Sequence, residues 1–206
     1  MAQEIVSQDE CARISDAVRS AEANTAGEIY VVIAKEADDF RFVPLLWAGL
    51  IALLMPWPLH LLTYWPTWLI LLLQAIVFVT VALVGSHPFI RHHIVPGPIA
   101  ASTARRSAEA LFMAHGVHLT QSRTGLLIYV ALADRRVEIV TDVGISSKVS
   151  QHTWDKLAQD VAEAARKNSL IEGLIGAVAR AGILLSQHCP QGSVNPNELS
   201  DRVVQI

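Results

Sequence analysis

The hydrophobic positions of this chain change rhythm several times, and each change marks an element. From about Gln8 to Ala23 the apolar residues Ile14, Val18 and Ala21 recur at helical spacing, and Ser7 with Glu10 three residues on has the spacing of a capping box. Asn24 to Gly27 ends that helix. Glu28 to Ala34 is β-rich and almost continuously apolar, the pattern of a central strand buried on both faces. Ile99 to His115 returns to helical spacing, with Ala104, Ala108, Leu111 and Phe112 on one face and Gly116 closing it. Gly125 to Leu132 and Arg136 to Asp142 read as two strands joined by the tight Ala133-Asp134-Arg135 connection. Two further helices are expected at about Thr153 to Asn168 and Leu170 to His188, with Trp154, Leu157, Val161, Leu174, Ile175, Val178 and Leu185 facing inward. Pro190, Gly192 and Pro196 predict a mostly irregular tail.

Between the first strand and the second long helix lies a segment of another kind. From Phe42 to Ile90 there is not one Asp, Glu, Lys or Arg in 49 consecutive residues, which excludes an ordinary soluble domain. The run divides into Phe42 to Leu62 and Trp68 to Gly85, each close to the roughly 20 helical residues that cover a bilayer core. Pro56 and Pro58 interrupt helical hydrogen bonding, so the first half is expected to end near Met55, with a longer, partly interfacial connection after it. Trp57, Tyr64, Trp65 and Trp68 cluster around that connection, as amphipathic rings do at headgroup level. Lys35 and Arg41 precede the hairpin, and Arg91, Arg105 and Arg106 follow it, whereas the connection carries no cation. By the positive-inside rule both termini and the soluble domain are expected on the cytoplasmic face of the cell's inner membrane. Ala2 to Glu10 is polar and lacks the pattern of a cleaved signal peptide.

Removing the insert leaves one small domain, about residues 1–40 and 89–206. Strand, returning helix and strand form a βαβ unit with a right-handed crossover, and the hairpin makes the third strand antiparallel. Glu28, Thr124, Gly125 and Asp142 then fall on one edge of the sheet, with Lys35 and Asp134 on the other. The hairpin leaves after the first strand, so the Lys35 edge is expected to face the bilayer and the Glu28/Asp142 edge the cytosol. The full chain of 206 residues carries 16 Lys+Arg against 19 Asp+Glu, net charge −3, which gives no polybasic signal for nucleic acid. Cys11 and Cys189 form no CxxC pair and are read as reduced thiols. There is no GxGxxG, Walker A, GxSxG, HExxH or CxxC sequence, which argues against nucleotide, serine-hydrolase and zinc chemistry.

Five segments in order carry a family resemblance: Thr25-Ala-Gly-Glu-Ile-Tyr-Val-Val, Thr124-Gly-Leu-Leu-Ile-Tyr-Val, Asp134-Arg-Arg-Val-Glu-Ile-Val, Asp142-Val-Gly-Ile and Asn197-Glu-Leu-Ser-Asp. Over about Ser7 to Asp201 the chain resembles the TPM domain family, with the hairpin as an insertion. That family includes a thylakoid-lumen protein of photosystem II repair, an acetylcholine-receptor modulator and bacterial envelope proteins. The resemblance implies an α/β/α sandwich with a small mixed sheet. It also implies one of two activities, since some members act as acid phosphatases or bind calcium through acidic loops and others are assembly or modulator proteins. Bacterial forms are associated with LemA-like membrane proteins, so the expected partners are the lipid bilayer and a LemA-like or TPM-family membrane protein.

Glu28 and Asp142 are the leading functional pair, two carboxylates on one exposed edge beside the Gly144 turn and Thr124. Such a pair can hold a divalent cation, calcium or magnesium. In a phosphatase Asp142 would be ligand or nucleophile and Arg123 a phosphate clamp. The plainer alternative has Glu28 capping its strand or pairing with Arg123, and Asp142 accepting backbone N–H bonds in its turn. His115 and His118 are three apart, but Gly116 breaks the helix between them, which favours ordinary surface histidines over metal ligands. His87, His92 and His93 read as interfacial anchors that can also sense pH or touch headgroups. Gln74 lies mid-helix in the apolar run, where it can hydrogen-bond the other helix or a partner, and a channel or transporter accessory role rests on such a contact. The preferred reading is an interaction or assembly module anchored in a membrane.

Overall fold

The computed structural model of the chain describes residues 6–37, 42–87, 96–191 and 198–206. Arg41, Arg91, His92 and His93 lie outside these residues. The chain divides into two compact units, Met1–Ala37 with Ala101–Ile206, and Asp38–Ala100.

The first unit is built on helix α1 (Gln8–Glu22) and strand β1 (Glu28–Ala34). Ser7 caps α1 by the expected reciprocal pair, with Glu10 N–H donating to its hydroxyl at 3.3 Å and its own N–H donating to the Glu10 carboxylate at 3.0 Å. All seven residues of β1 are buried, as an uninterrupted apolar run demands when helices cover both faces of a sheet. Its neighbour β2 (Gly125–Ala131) pairs with it in parallel, Glu28 opposite Gly125 and Ala34 opposite Ala131. Strand β3 (Arg136–Thr141) pairs antiparallel with β2, so the βαβ-plus-hairpin topology read from the sequence is the one observed. Among the described residues the C-terminal tail is mostly irregular, as expected, but it adds one short element that the pattern did not predict. Val204–Gln205 forms strand β4, parallel to β1, and completes a mixed sheet of order β3-β2-β1-β4.

One face of the sheet packs Ile29, Val31, Ile33, Leu126, Ile128, Val130 and Ile139 under α1 and two later helices. Residues of the opposite parity, Tyr30, Val32, Leu127, Tyr129 and Val140, face Ala104, Ala108 and Phe112 of helix α5 (Gly97–Ala114). The architecture is therefore an α/β/α sandwich around a mixed sheet. After β3 come a single turn, α6 (Val143–Ser146), and the two long helices α7 (Gln151–Arg166) and α8 (Leu170–His188). Trp154 on α7 is fully buried in this core, the structural role that its position on an amphipathic helix implies.

The second unit contains α2 (Phe42–Leu54), α3 (Pro56–Leu62) and α4 (Thr67–Gly85). As expected, α2 ends next to Met55, at Leu54, but the longer connection expected after it is instead a second short helix, α3. Met55 keeps helical dihedrals, Pro56 stands at the first position of α3 where a missing N–H costs nothing, and the true connection is the short stretch Thr63 to Pro66. Val43–Leu62 and Thr67–Gly85 are 20 and 19 residues long, about 30 Å of helix each, which is long and apolar enough to cross a membrane. By the same measures Leu170–His188 also qualifies, but 39% of its apolar window is buried against 11% for the other two, because it packs into the core of the α/β unit. The large apolar side chains of α2 and α4, from Leu45 to Val84, are mostly exposed.

Candidate functional site

The buried polar residues of the described chain, Thr25, Glu28, Thr120, Thr124 and Asp142, gather at one end of the sheet, the end where β1 and β2 begin and β3 finishes. The strand register explains why. Glu28 lies opposite Gly125, and the Asp142 N–H donates to the Gly125 carbonyl at 2.9 Å, so Glu28 and Asp142 flank Gly125 across three neighbouring strands. By strand parity both carboxylates point to the α5 face, with Tyr30 and Val140. Val117, in the 3-10 turn Val117–Leu119, packs over the bare Cα of Gly125 between them; a Cβ on Gly125 would collide with the Val117 carbonyl oxygen.

Each carboxylate is engaged separately. Asp142 is the N-cap of α6, one oxygen accepting the Val143 N–H at 2.6 Å and the other lying 3.1 Å from the Arg123 Nε in an ion pair. The carboxylate is 3% exposed and the guanidinium 52% exposed, so Arg123 reaches in from solvent while its acid is enclosed. Arg123 adopts φ of +54°, a left-handed conformation uncommon outside glycine, which turns the chain over α6. Gly144 allows the close approach: its N–H donates to the Arg123 carbonyl at 3.0 Å, and a Cβ there would sit 2.5 Å from that oxygen and 2.7 Å from the Ser122 oxygen.

Glu28 does not pair with Arg123. Its carboxylate accepts the Leu199 N–H at 3.3 Å and holds the C-terminal segment against the start of β1. Burial pushes this carboxyl up from its ordinary range, opposed by the Leu199 and Glu198 backbone N–H groups. Glu22, at the end of α1, accepts the Ile29 N–H at 2.6 Å and is pushed up to about 8, chiefly by burial and further by the nearby Glu28 and Asp201 charges. The Glu198 carboxylate accepts the Gln121 N–H at 3.0 Å, and Asp201 pairs with Arg19 at 3.3 Å. Glu22, Glu198 and Asp201 were not legible as members of this corner, because the fold brings together segments more than 170 residues apart in sequence. Among the described residues no group of three or more His, Cys, Asp or Glu could hold a metal ion.

Hydroxyls close the remaining gaps. Thr124 donates to the Ala26 carbonyl at 2.6 Å, Thr25 donates to the Cys189 carbonyl at 2.7 Å, and Thr120 accepts the Thr124 N–H at 3.0 Å. His115 stands 3.2 Å from the Tyr30 hydroxyl through Nδ1, while His118 lies against Phe112, so the two histidines serve different contacts. Around this sealed corner the surface is apolar in two places, Leu119 at 71% and Val143 at 64% exposed, with the Arg123 side chain also half in solvent. At the other end of the sheet a polar groove of about 580 Å³ is lined by Arg135, Arg136, Arg166, Glu138 and Asp155. Of the aromatic residues at the helical connection, Trp57, Tyr64, Trp65 and Trp68 are all exposed.

These features define a class: an α/β/α domain with a mixed sheet, interrupted after its first strand by a pair of long apolar helices. Comparison with known proteins makes it particular. Residues 89–183 match the family model of the TPM domain, a stretch that includes the Thr124, Asp134 and Asp142 segments. Over 100% of this chain and 99% of the other, the fold is similar to the NMR structure of BA42 protein from the psychrophilic bacterium Bizionia argentinensis, with a TM-score of 0.60 at 21% identity. No curated protein matches the chain.

Proposed function

We propose that this chain is an integral membrane protein whose TPM domain works as an interaction module at the membrane surface, docking another membrane protein through the sheet end that carries Leu119, Arg123 and Val143. The observation that carries this reading is how that end is built. Its carboxylates are consumed in structural bonds, Asp142 by the α6 N-terminus and Arg123, Glu28 by the C-terminal segment, while large apolar side chains stand exposed beside them. A catalytic corner needs free carboxylates around a reacting atom, whereas a docking corner needs a rigid frame with exposed apolar and Arg anchors. The exposed apolar surface of α2 and α4 supports placing those helices in hydrocarbon, and Lys35, Arg41, Arg91, Arg105 and Arg106 support a cytoplasmic domain on the inner membrane. The family resemblance makes a LemA-like protein the first partner to try.

Affinity capture of the tagged full-length protein from mild detergent, beside a Leu119→Asp/Val143→Asp double variant, tests the reading. Neither side chain is buried, so the variant keeps its fold. A membrane protein retained by the wild type and lost by the variant supports docking at this end. Equal capture by both, or no capture, overturns it. Turnover of a phosphomonoester with magnesium or calcium that disappears in Asp142→Asn would instead establish the metal-assisted phosphatase.

A further inference from the structure

Gln74 lies near the middle of α4, where the rest of the helix is almost wholly apolar. With Gly49, Ala52, Leu71, Ala75 and Phe78 it lines an open groove of about 370 Å³ between α2 and α4. Its side chain makes no hydrogen bond among the described residues. A primary amide carries two N–H donors and a carbonyl acceptor, and in hydrocarbon there is no water to satisfy them. Nor does the packing of this chain account for Gly49: a Cβ built there meets nothing within 4 Å. Gly85 differs, since a Cβ there would lie 3.0 Å from the Pro44 Cβ, so that glycine is needed where the two helices close on each other. The groove thus combines an unsatisfied polar group with a bare stretch of backbone that another helix can approach.

We infer that two copies of this chain associate in the bilayer through this groove, each Gln74 amide donating to the carbonyl oxygen of its counterpart, with Gly49, Ala52 and Ala75 allowing the close approach. The inference rests on α2 and α4 spanning a membrane. A second copy is the occupant because a carboxamide is self-complementary. Two of them related by a two-fold axis satisfy an N–H and a C=O on each side, and an isologous contact needs nothing else of the partner. The groove holds no charged side chain that would call for an opposite charge instead.

The test is sedimentation equilibrium of the purified full-length protein in density-matched detergent, preceded by alkaline carbonate extraction of the membranes it came from. Release by carbonate overturns the membrane reading itself, and the inference with it. For the carbonate-resistant protein, a dimer in the wild type whose dissociation constant rises at least tenfold in Gln74→Leu and in Gly49→Leu is the expected result. Gly49→Leu adds its side chain to open space, so it obstructs a partner without disturbing the monomer. Gln74→Asn keeps the amide and should retain most of the association. A monomeric wild type, or a dimer indifferent to both substitutions, overturns the inference while leaving membrane insertion intact.

Discussion

Glu22 and Glu28 stand at the end of α1 and the start of β1, one half-buried and one buried, both held by backbone N–H groups, and among the described residues neither carboxyl forms an ion pair. Burial therefore wins over hydrogen bonding, and the Glu22 carboxyl rises to about 8. A folded-state value above the unfolded one means that the native protein binds a proton the unfolded chain has released. The stability this gives is fully present below about 4.5 and is lost as pH rises toward about 8. Glu22→Gln keeps an oxygen to accept the Ile29 N–H and removes the titration. Thermal melts at pH 5 and pH 8 should show the wild type losing stability between them and the variant losing less; an equal loss in both would put the titration elsewhere. None of this was legible from residue type alone. Asp142 and Arg123 were both singled out in the sequence as reactive groups, but their mutual ion pair depends on the left-handed turn at Arg123, and a non-glycine residue with positive φ leaves no signature in the sequence.

Elements were legible in proportion to their length and regularity. The seven-residue apolar runs of β1 and β2 and the 19-residue α8 could be placed from periodicity because many positions vote together. Strand β4 has two residues and α6 has four, too few to establish a period, and both sit among turn-forming residues. Yet β4 matters to the sheet. The Ile206 N–H donates to the Ile33 carbonyl at 3.1 Å and the Lys35 N–H to the Ile206 carbonyl at 2.9 Å, and the preceding segment supplies the Leu199 N–H to Glu28. Truncation before Glu198 would leave the Glu28 carboxylate without its donors and bare one edge of β1. The expected cost is about 2–3 kcal/mol for the orphaned buried group, with faster amide exchange at Ile33 and Lys35 and a tendency to pair edge to edge. Unchanged exchange at those amides would mean that the tail merely rests on the sheet.

For the molecule as a whole, the charge-free stretch announced the apolar helices, and the charged remainder announced an α/β domain, because each environment imposes its own composition. The two units each have their own internal packing. Replacing Phe42 to Pro88 by a short polar linker between Arg41 and Phe89 should then give a water-soluble protein with a cooperative thermal transition and the far-ultraviolet signature of mixed helix and strand. A product that aggregates, or unfolds without a transition, would mean that the α/β unit depends on the apolar helices. The order of the sheet also sets a timetable for synthesis. Strand β1 leaves the ribosome before both apolar helices, its neighbour β2 after them, and β4 within the last three residues of the chain. During the interval β1 has no strand to pair with, although every one of its residues is destined for the interior. Cells making this protein must therefore shelter a bare, sticky strand while the apolar helices are being made, until β2 arrives to cover one of its edges.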